Sequence, residues 1–291
     1  METKKTIETF LEKIMPSPTN MDAEYSELRA YGKVKTFREI HEEHKRAGGI
    51  IKLGNYGIPG LDAATGGIYE GEVIAISGLT KHGKTTMAQS ITYGLCKKEN
   101  PVGWFTFEVP PAQFLQTFEN YDNPMDYGIL PVEHKAGDLK WLFERIAEMH
   151  VTWSARIFFI DHLHYLFDMW STRNVALTIG QVIRALKHLA ITGGFAIFLL
   201  CHYSKGQREE NEDTYENIRD SSLIAQESDS VLLIRRVKDG NKYTNNAILS
   251  VEFHRRTGVM KKKIGLVKIG NFLYERVLEE EGARDKKQGY L

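Results

Sequence analysis

Cysteine is scarce in this chain of 291 residues: Cys96 and Cys201 are the only two, and both sit in apolar surroundings. Two cysteines make no disulfide framework, so a reducing cytosol is expected. Long apolar runs are lacking as well. The longest, Phe195–Cys201, is far too short to span a bilayer, and no signal peptide opens the sequence, so no membrane partner is expected. An excess of one charge is also absent. The 38 basic and 38 acidic side chains cancel, so a nucleic-acid surface, if present, must be local. The length suits one large domain with small appendages.

What is present centres on Gly78–Thr86 (GLTKHGKTT), which reads G-x-x-x-x-G-K-T through Gly78, Gly83, Lys84 and Thr85. This is a phosphate-binding P-loop pattern. Glycines let backbone N–H groups turn inward around phosphate oxygens, where a Cβ would block the approach. The intervening Leu79, Thr80, Lys81 and His82, and Thr86 after them, complete the loop. Lys84 is placed to reach the β- and γ-phosphates, and the Thr85 hydroxyl to bind Mg²⁺. Context agrees with the pattern. Glu72–Ser77 (EVIAIS) is an apolar run of strand length, and Thr85–Lys98 places Met87, Ile91 and Leu95 on one helical face before the Asn100-Pro101 breaker. A strand, a loop and a helix in that order are what a P-loop needs.

Further short apolar runs follow at Val102–Phe107, Arg156–Ile160, Phe195–Cys201 and Val231–Ile234. Helical patterns at Gln113–Asn120, Asp138–His150 and Leu177–Ile191 lie between them. Strands alternating with helices predict an α/β fold with a mostly parallel sheet covered on both faces. The runs near Ala247–Phe253, Lys263–Ile269 and Phe272–Val277 have no helices between them and predict a C-terminal antiparallel extension. Ahead of all this, Thr6–Met15 carries Ile7, Phe10, Leu11 and Ile14 on one stripe and ends at a proline-rich linker. Such a helix folds back on its own domain or docks on another subunit. Domain boundaries are expected at 1–20 (helix and linker), 21–277 (catalytic domain) and 278–291 (charged tail).

In parallel sheets ligands bind at the carboxyl ends of the strands, and four groups fall there: the P-loop, Glu108, Asp161 and His202. Asp161 suits the Mg²⁺ side of the site, opposite Thr85. Glu108 suits the base that orients and deprotonates the attacking water. His202 is either a γ-phosphate sensor or a structural histidine. Arg255 and Arg256 are either an arginine finger reaching a neighbour's nucleotide or a surface turn. His162 and His164 read as loop packing or DNA-facing groups. His41 and His44 read as a solvated face, since no further ligands follow at zinc-like spacing. Two long polar stretches carry Arg173, and Lys205, Arg208 and Arg219, as weak candidates for nucleic-acid contact.

The order of these parts resembles the RecA-like motor domain of DnaB- and Twinkle-type replicative ring helicases, including phage forms. The matching stretches are Gly57–Gly67, Gly78–Thr86, Trp104–Glu108, Phe159–Leu163, Leu199–Ser204, Asn217–Asp229 and His254–Gly258. The resemblance implies ATP and Mg²⁺ as ligands, Lys84 on phosphate, Thr85 and Asp161 on the metal side, Glu108 as catalytic base and His202 as sensor. It implies Arg255 as the trans-acting finger, with Arg256 as the choice if the loop is aligned shorter. It also implies a homo-hexameric ring on single-stranded DNA, a docked N-terminal helix, and a loader, primase or polymerase as partner. The sequence departs from the family at Phe253, where a lysine is frequent, and at Ser222, where a glycine is common. Two other readings compete with a helicase: a RecA- or RadA-like recombination ATPase, and a KaiC-like regulatory ATPase that does not unwind DNA.

Overall fold

The computed structural model describes residues 2–14, 35–167, 175–201, 221–240 and 242–276. Among the described residues, eleven strands run in chain order: β1 Lys52–Gly54, β2 Ile68–Tyr69, β3 Glu72–Ser77, β4 Val102–Thr106, β5 Gly128–Ile129, β6 Ile157–Asp161, β7 Ala196–Leu200, β8 Ser230–Asp239, β9 Lys242–His254, β10 Met260–Ile269 and β11 Phe272–Arg276. The helices are α1 Glu2–Ile14, α2 Phe37–Arg46, α3 Pro59–Thr65, α4 Lys84–Cys96, α5 Pro111–Leu115, α6 Asp122–Tyr127, α7 Leu139–Trp153, α8 Val175–Gly193 and α9 Ser221–Glu227.

Among the described residues, β3 to β11 form one nine-stranded sheet in the order β11-β10-β9-β8-β3-β7-β6-β4-β5. Pairing is parallel from β8 through β5 and antiparallel from β8 to β11. This is the α/β fold expected of a RecA-like core, with its antiparallel extension. Side chains alternate between the two faces, as the pleat requires. Val73 and Ala75 of β3 face one core with α7 and α8, while Ile74 and Ile76 face the other with α4. Burial on both faces explains why these strands read as unbroken apolar runs rather than alternating ones.

Several elements depart from the sequence reading. The helix expected over Gln113–Asn120 begins earlier and is shorter, at Pro111–Leu115, because Pro111 occupies its first turn rather than breaking it. The glycine-rich stretch before β3 holds a helix, α3, again with proline in its first turn, and the β1–β2 pair. The antiparallel strands β9 and β10 extend well past the apolar segments that announced them. Helix α1 packs its stripe on α7 and α8 of its own chain, with the Phe10 ring 5.0 Å from His150 and 5.9 Å from Phe195. Helix α2 carries a capping box at Thr36 and Glu39, and none of its residues is buried. His41 and His44 are exposed there, and no cluster of metal-ligating side chains occurs among the described residues. None of the described helices is long and apolar enough to cross a membrane.

Candidate nucleotide site

β3 ends at Ser77, and the chain turns through Gly78–Gly83 into α4, the thirteen-residue helix that starts at Lys84. The turn is built on its glycines. A Cβ at Gly78 would collide with the Ile234 carbonyl of β8. Gly83 adopts φ 97°, open to glycine and strained for other residues. Lys81 accepts that strain, with φ 66°. The first-turn N–H groups of α4 and its positive dipole end therefore face the hollow of the loop, the arrangement that receives a phosphate.

Lys84 is 9% exposed. Its ammonium donates to the Gly78 carbonyl at 2.9 Å and the Leu79 carbonyl at 3.2 Å, arching over the loop. Burial pulls its pKa down, and the charges of Asp161 and Glu108 work against that. The Thr85 hydroxyl donates to Asp161 Oδ2 at 2.8 Å, across the top of β7. Asp161, at the end of β6, is 2% exposed. Burial raises its carboxyl to about 6; the Thr85 hydrogen bond lowers it, Glu108 raises it and Lys84 lowers it. A buried carboxylate beside a hydroxyl is an oxygen-only donor set of the kind a hard cation accepts.

Glu108 lies in the bend after β4 and is exposed. The bend is held by the Phe107 N–H to the Asp161 carbonyl (2.9 Å) and by the Thr106 hydroxyl to the Val109 carbonyl (2.9 Å). Glu108 is close enough to influence the titration of both Lys84 and Asp161. The structure thus brings Lys84, Thr85, Asp161 and Glu108 together at one end of the sheet. His202, Arg173, Lys205, Arg208 and Arg219 lie outside the described residues. His162 and His164 are buried in a 3-10 turn, where the His164 N–H donates to His162 Nδ1 at 3.3 Å and the rings pack on Tyr165 and Phe167. They serve as loop packing.

The two arginines part company. Arg256 Nε donates to Glu72 Oε1 at 2.9 Å, its Nη2 donates to the Thr65 carbonyl at 2.7 Å, and its guanidinium lies 3.7 Å from the Tyr69 ring centre. Arg255 has a side chain 53% exposed; its Nη2 donates to the Gln226 carbonyl at 2.5 Å. Both sit at the end of the sheet opposite their own P-loop. His254 pairs with Ser230, and Ser230 with Ile74, so Gly78 lies four residues of strand further up, roughly 13 Å at ~3.3 Å per residue.

His82 was expected in the loop, but what braces it escaped sequence reasoning. His82, in the loop and 5% exposed, takes the Arg236 N–H at Nδ1 (3.4 Å) and meets the Tyr243 hydroxyl at Nε2 (3.1 Å). The Tyr243 ring in turn lies 5.1 Å from the Arg236 guanidinium and 5.2 Å from the Lys238 ammonium. The β8–β9 hairpin therefore braces the tip of the P-loop. No local pattern could announce it, since His82 and Tyr243 are 161 residues apart in the chain.

Residues 54–227, more than half of the chain, match the protein-family model described as "ATPase: KaiC". No curated protein matches the chain.

Proposed function

We propose, from the premise that this chain belongs to the KaiC family of ATPases, that it hydrolyses ATP at a site completed by a second copy of itself. Membership carries the RecA-like core and the ATPase chemistry. The trans arrangement is our reading, and one observation carries it: the exposed Arg255 stands at the far end of the sheet from its own P-loop. A head-to-tail contact would set that arginine against the next subunit's phosphates, and such contacts close into rings when the rotation allows.

The roles then follow from position. The loop N–H groups and Lys84 bind and orient the phosphates. Thr85 and Asp161 would hold Mg²⁺, which when bound neutralises charge on the β- and γ-oxygens. Glu108, exposed beside them, orients the attacking water and takes its proton. Arg255 stabilises charge that grows on the transferred phosphoryl group.

The cycle drives either a conformational switch read by a protein partner or movement on single-stranded DNA. Family membership favours the switch. The resemblance of Asn217–Asp229 and His254–Gly258 to ring-helicase motifs supports the second, with unwinding in replication as its outcome. Steady-state ATP hydrolysis with Mg²⁺, with and without single-stranded DNA, separates them, beside strand separation of a forked duplex and Glu108→Gln as control. DNA-independent hydrolysis supports the switch. Stimulation with unwinding, both lost in Glu108→Gln, supports the helicase, and stimulation without unwinding the recombination-type ATPase. No hydrolysis under any condition rejects the site.

A further inference from the structure

The turn between β9 and β10 holds two adjacent arginines with opposite employment. Arg256 is bound on three sides within its own chain. Besides Glu72 and the Thr65 carbonyl, its Nη2 reaches the Gly67 carbonyl at 3.3 Å, and its plane lies over Tyr69. Glu72 is 6% exposed at the foot of β3, the strand that ends in the P-loop, and its other oxygen accepts the Tyr69 N–H at 3.1 Å. A buried carboxylate is costly unless paired, and here the partner is Arg256. His254 closes the group. Its Nδ1 accepts the Thr257 N–H at 3.3 Å, and its Nε2 lies 3.7 Å from Glu72 Oε1.

The Arg255 backbone is anchored by its N–H, which donates to the Asp229 carbonyl at 2.7 Å. Its head group extends from the turn and, among the described residues, reaches the Gln226 carbonyl and, at 3.8 Å, Asp229 Oδ1. The second Asp229 oxygen is occupied by Lys187 at 2.6 Å and the Val73 N–H at 2.8 Å, so it does not draw Arg255 inward.

We propose that Arg256, clamped on Glu72, Tyr69 and the Thr65 and Gly67 carbonyls, is a positioning residue that sets the direction in which Arg255 is presented to the nucleotide of a neighbouring copy. The inference rests on the trans reading above and adds the element that aims the arginine. Consecutive Cα atoms are ~3.8 Å apart, so a turn fixed at Arg256 fixes the root of Arg255. A planar guanidinium serves three acceptors and a ring face at once; a lysine ammonium does not reproduce that fork. Misplacing a reacting group by ~1 Å costs on the order of a hundredfold in rate.

The test is a kinetic double-mutant cycle on the full chain: Arg255→Ala, Arg256→Lys, Glu72→Gln, and Arg255→Ala combined with each of the others. Thermal melts and binding of a fluorescent ATP analogue run beside it. Arg256→Lys and Glu72→Gln each lower kcat by about tenfold or more and leave the KM for ATP within about twofold, since the P-loop that binds it is distant. Combined with Arg255→Ala they cost nothing further, because they act through Arg255. Multiplying losses, unchanged kcat in both clamp variants, or a loss that appears in KM and analogue binding overturns the clamp as a positioning device while Arg255→Ala stays impaired. Full kcat in Arg255→Ala instead overturns the trans reading, and the clamp's role with it. Glu72→Gln keeps the side-chain shape and decides the matter if Arg256→Lys does not fold.

Discussion

Asp161→Asn should stabilise the nucleotide-free protein while ending hydrolysis. Burial drives the Asp161 carboxyl from 3.8 up to about 6; Thr85 lowers it, Glu108 raises it and Lys84 lowers it. A folded-state value above the unfolded one means that the fold disfavours the carboxylate. The cost is absent below the unfolded value of 3.8, grows as pH rises, and is complete above about 6. Roughly two units at ~1.4 kcal/mol each give about 3 kcal/mol at pH 8, and about half of that at pH 5. Asparagine keeps an oxygen for the Thr85 hydroxyl, now 2.8 Å from Oδ2, and carries no charge. Urea unfolding of both proteins in EDTA, at pH 8 and pH 5, reads the difference. The variant gains the larger stability at pH 8 and clearly less at pH 5. Equal gains at the two pH values, or none at pH 8, refute the claim that a buried charge is the source of the strain.

Other outcomes follow from the same structure. Glu108→Gln abolishes steady-state hydrolysis yet retains binding of a fluorescent ATP analogue, because the exposed carboxylate is not part of the loop that grips phosphate; loss of binding in a titration would count against its role as base. The Trp104 indole N–H donates to the Thr92 hydroxyl at 2.8 Å between buried helix α4 and β4, so Thr92→Val strands a buried donor and costs about 1–3 kcal/mol in urea unfolding. A change within error would show that the indole finds another acceptor. Burial pushes both Cys96 and Cys201 up to about 12, so neither thiol reacts with a thiol reagent at pH 8 until the protein is unfolded; rapid labelling of the native chain would contradict that burial.

The parallel core was legible because burial on both faces writes itself as apolar runs, and the runs at β3, β4, β6 and β7 fell within a residue or two of their strands. The phosphate loop was legible because its glycines, lysine and threonine act within nine residues of one another. Meeting of Thr85 with Asp161 was also foreseen, since both belong at strand ends of one sheet. What stayed hidden is non-local. Nothing in the sequence around His82 points to Tyr243, and nothing in His254–Gly258 tells Arg255 from Arg256. Distant partners separate the two arginines: Glu72, 184 residues away, binds Arg256 together with the Thr65 and Gly67 carbonyls and the Tyr69 ring, while Arg255 stays extended. The long strands β9 and β10 were underestimated because their outer halves are exposed and polar, with Lys261, Lys262 and Lys263 in succession.

Hydrolysis completed between subunits can be read from a mixture of two inactive variants. Lys84→Ala cannot engage phosphate but still offers Arg255; Arg255→Ala binds nucleotide but offers no arginine. Co-assembled in equal amounts, the two should recover hydrolysis at about a quarter of the native rate, the share of random head-to-tail contacts that join an intact loop to an intact arginine. A mixture no more active than its components would mean that Arg255 does not act across a subunit contact.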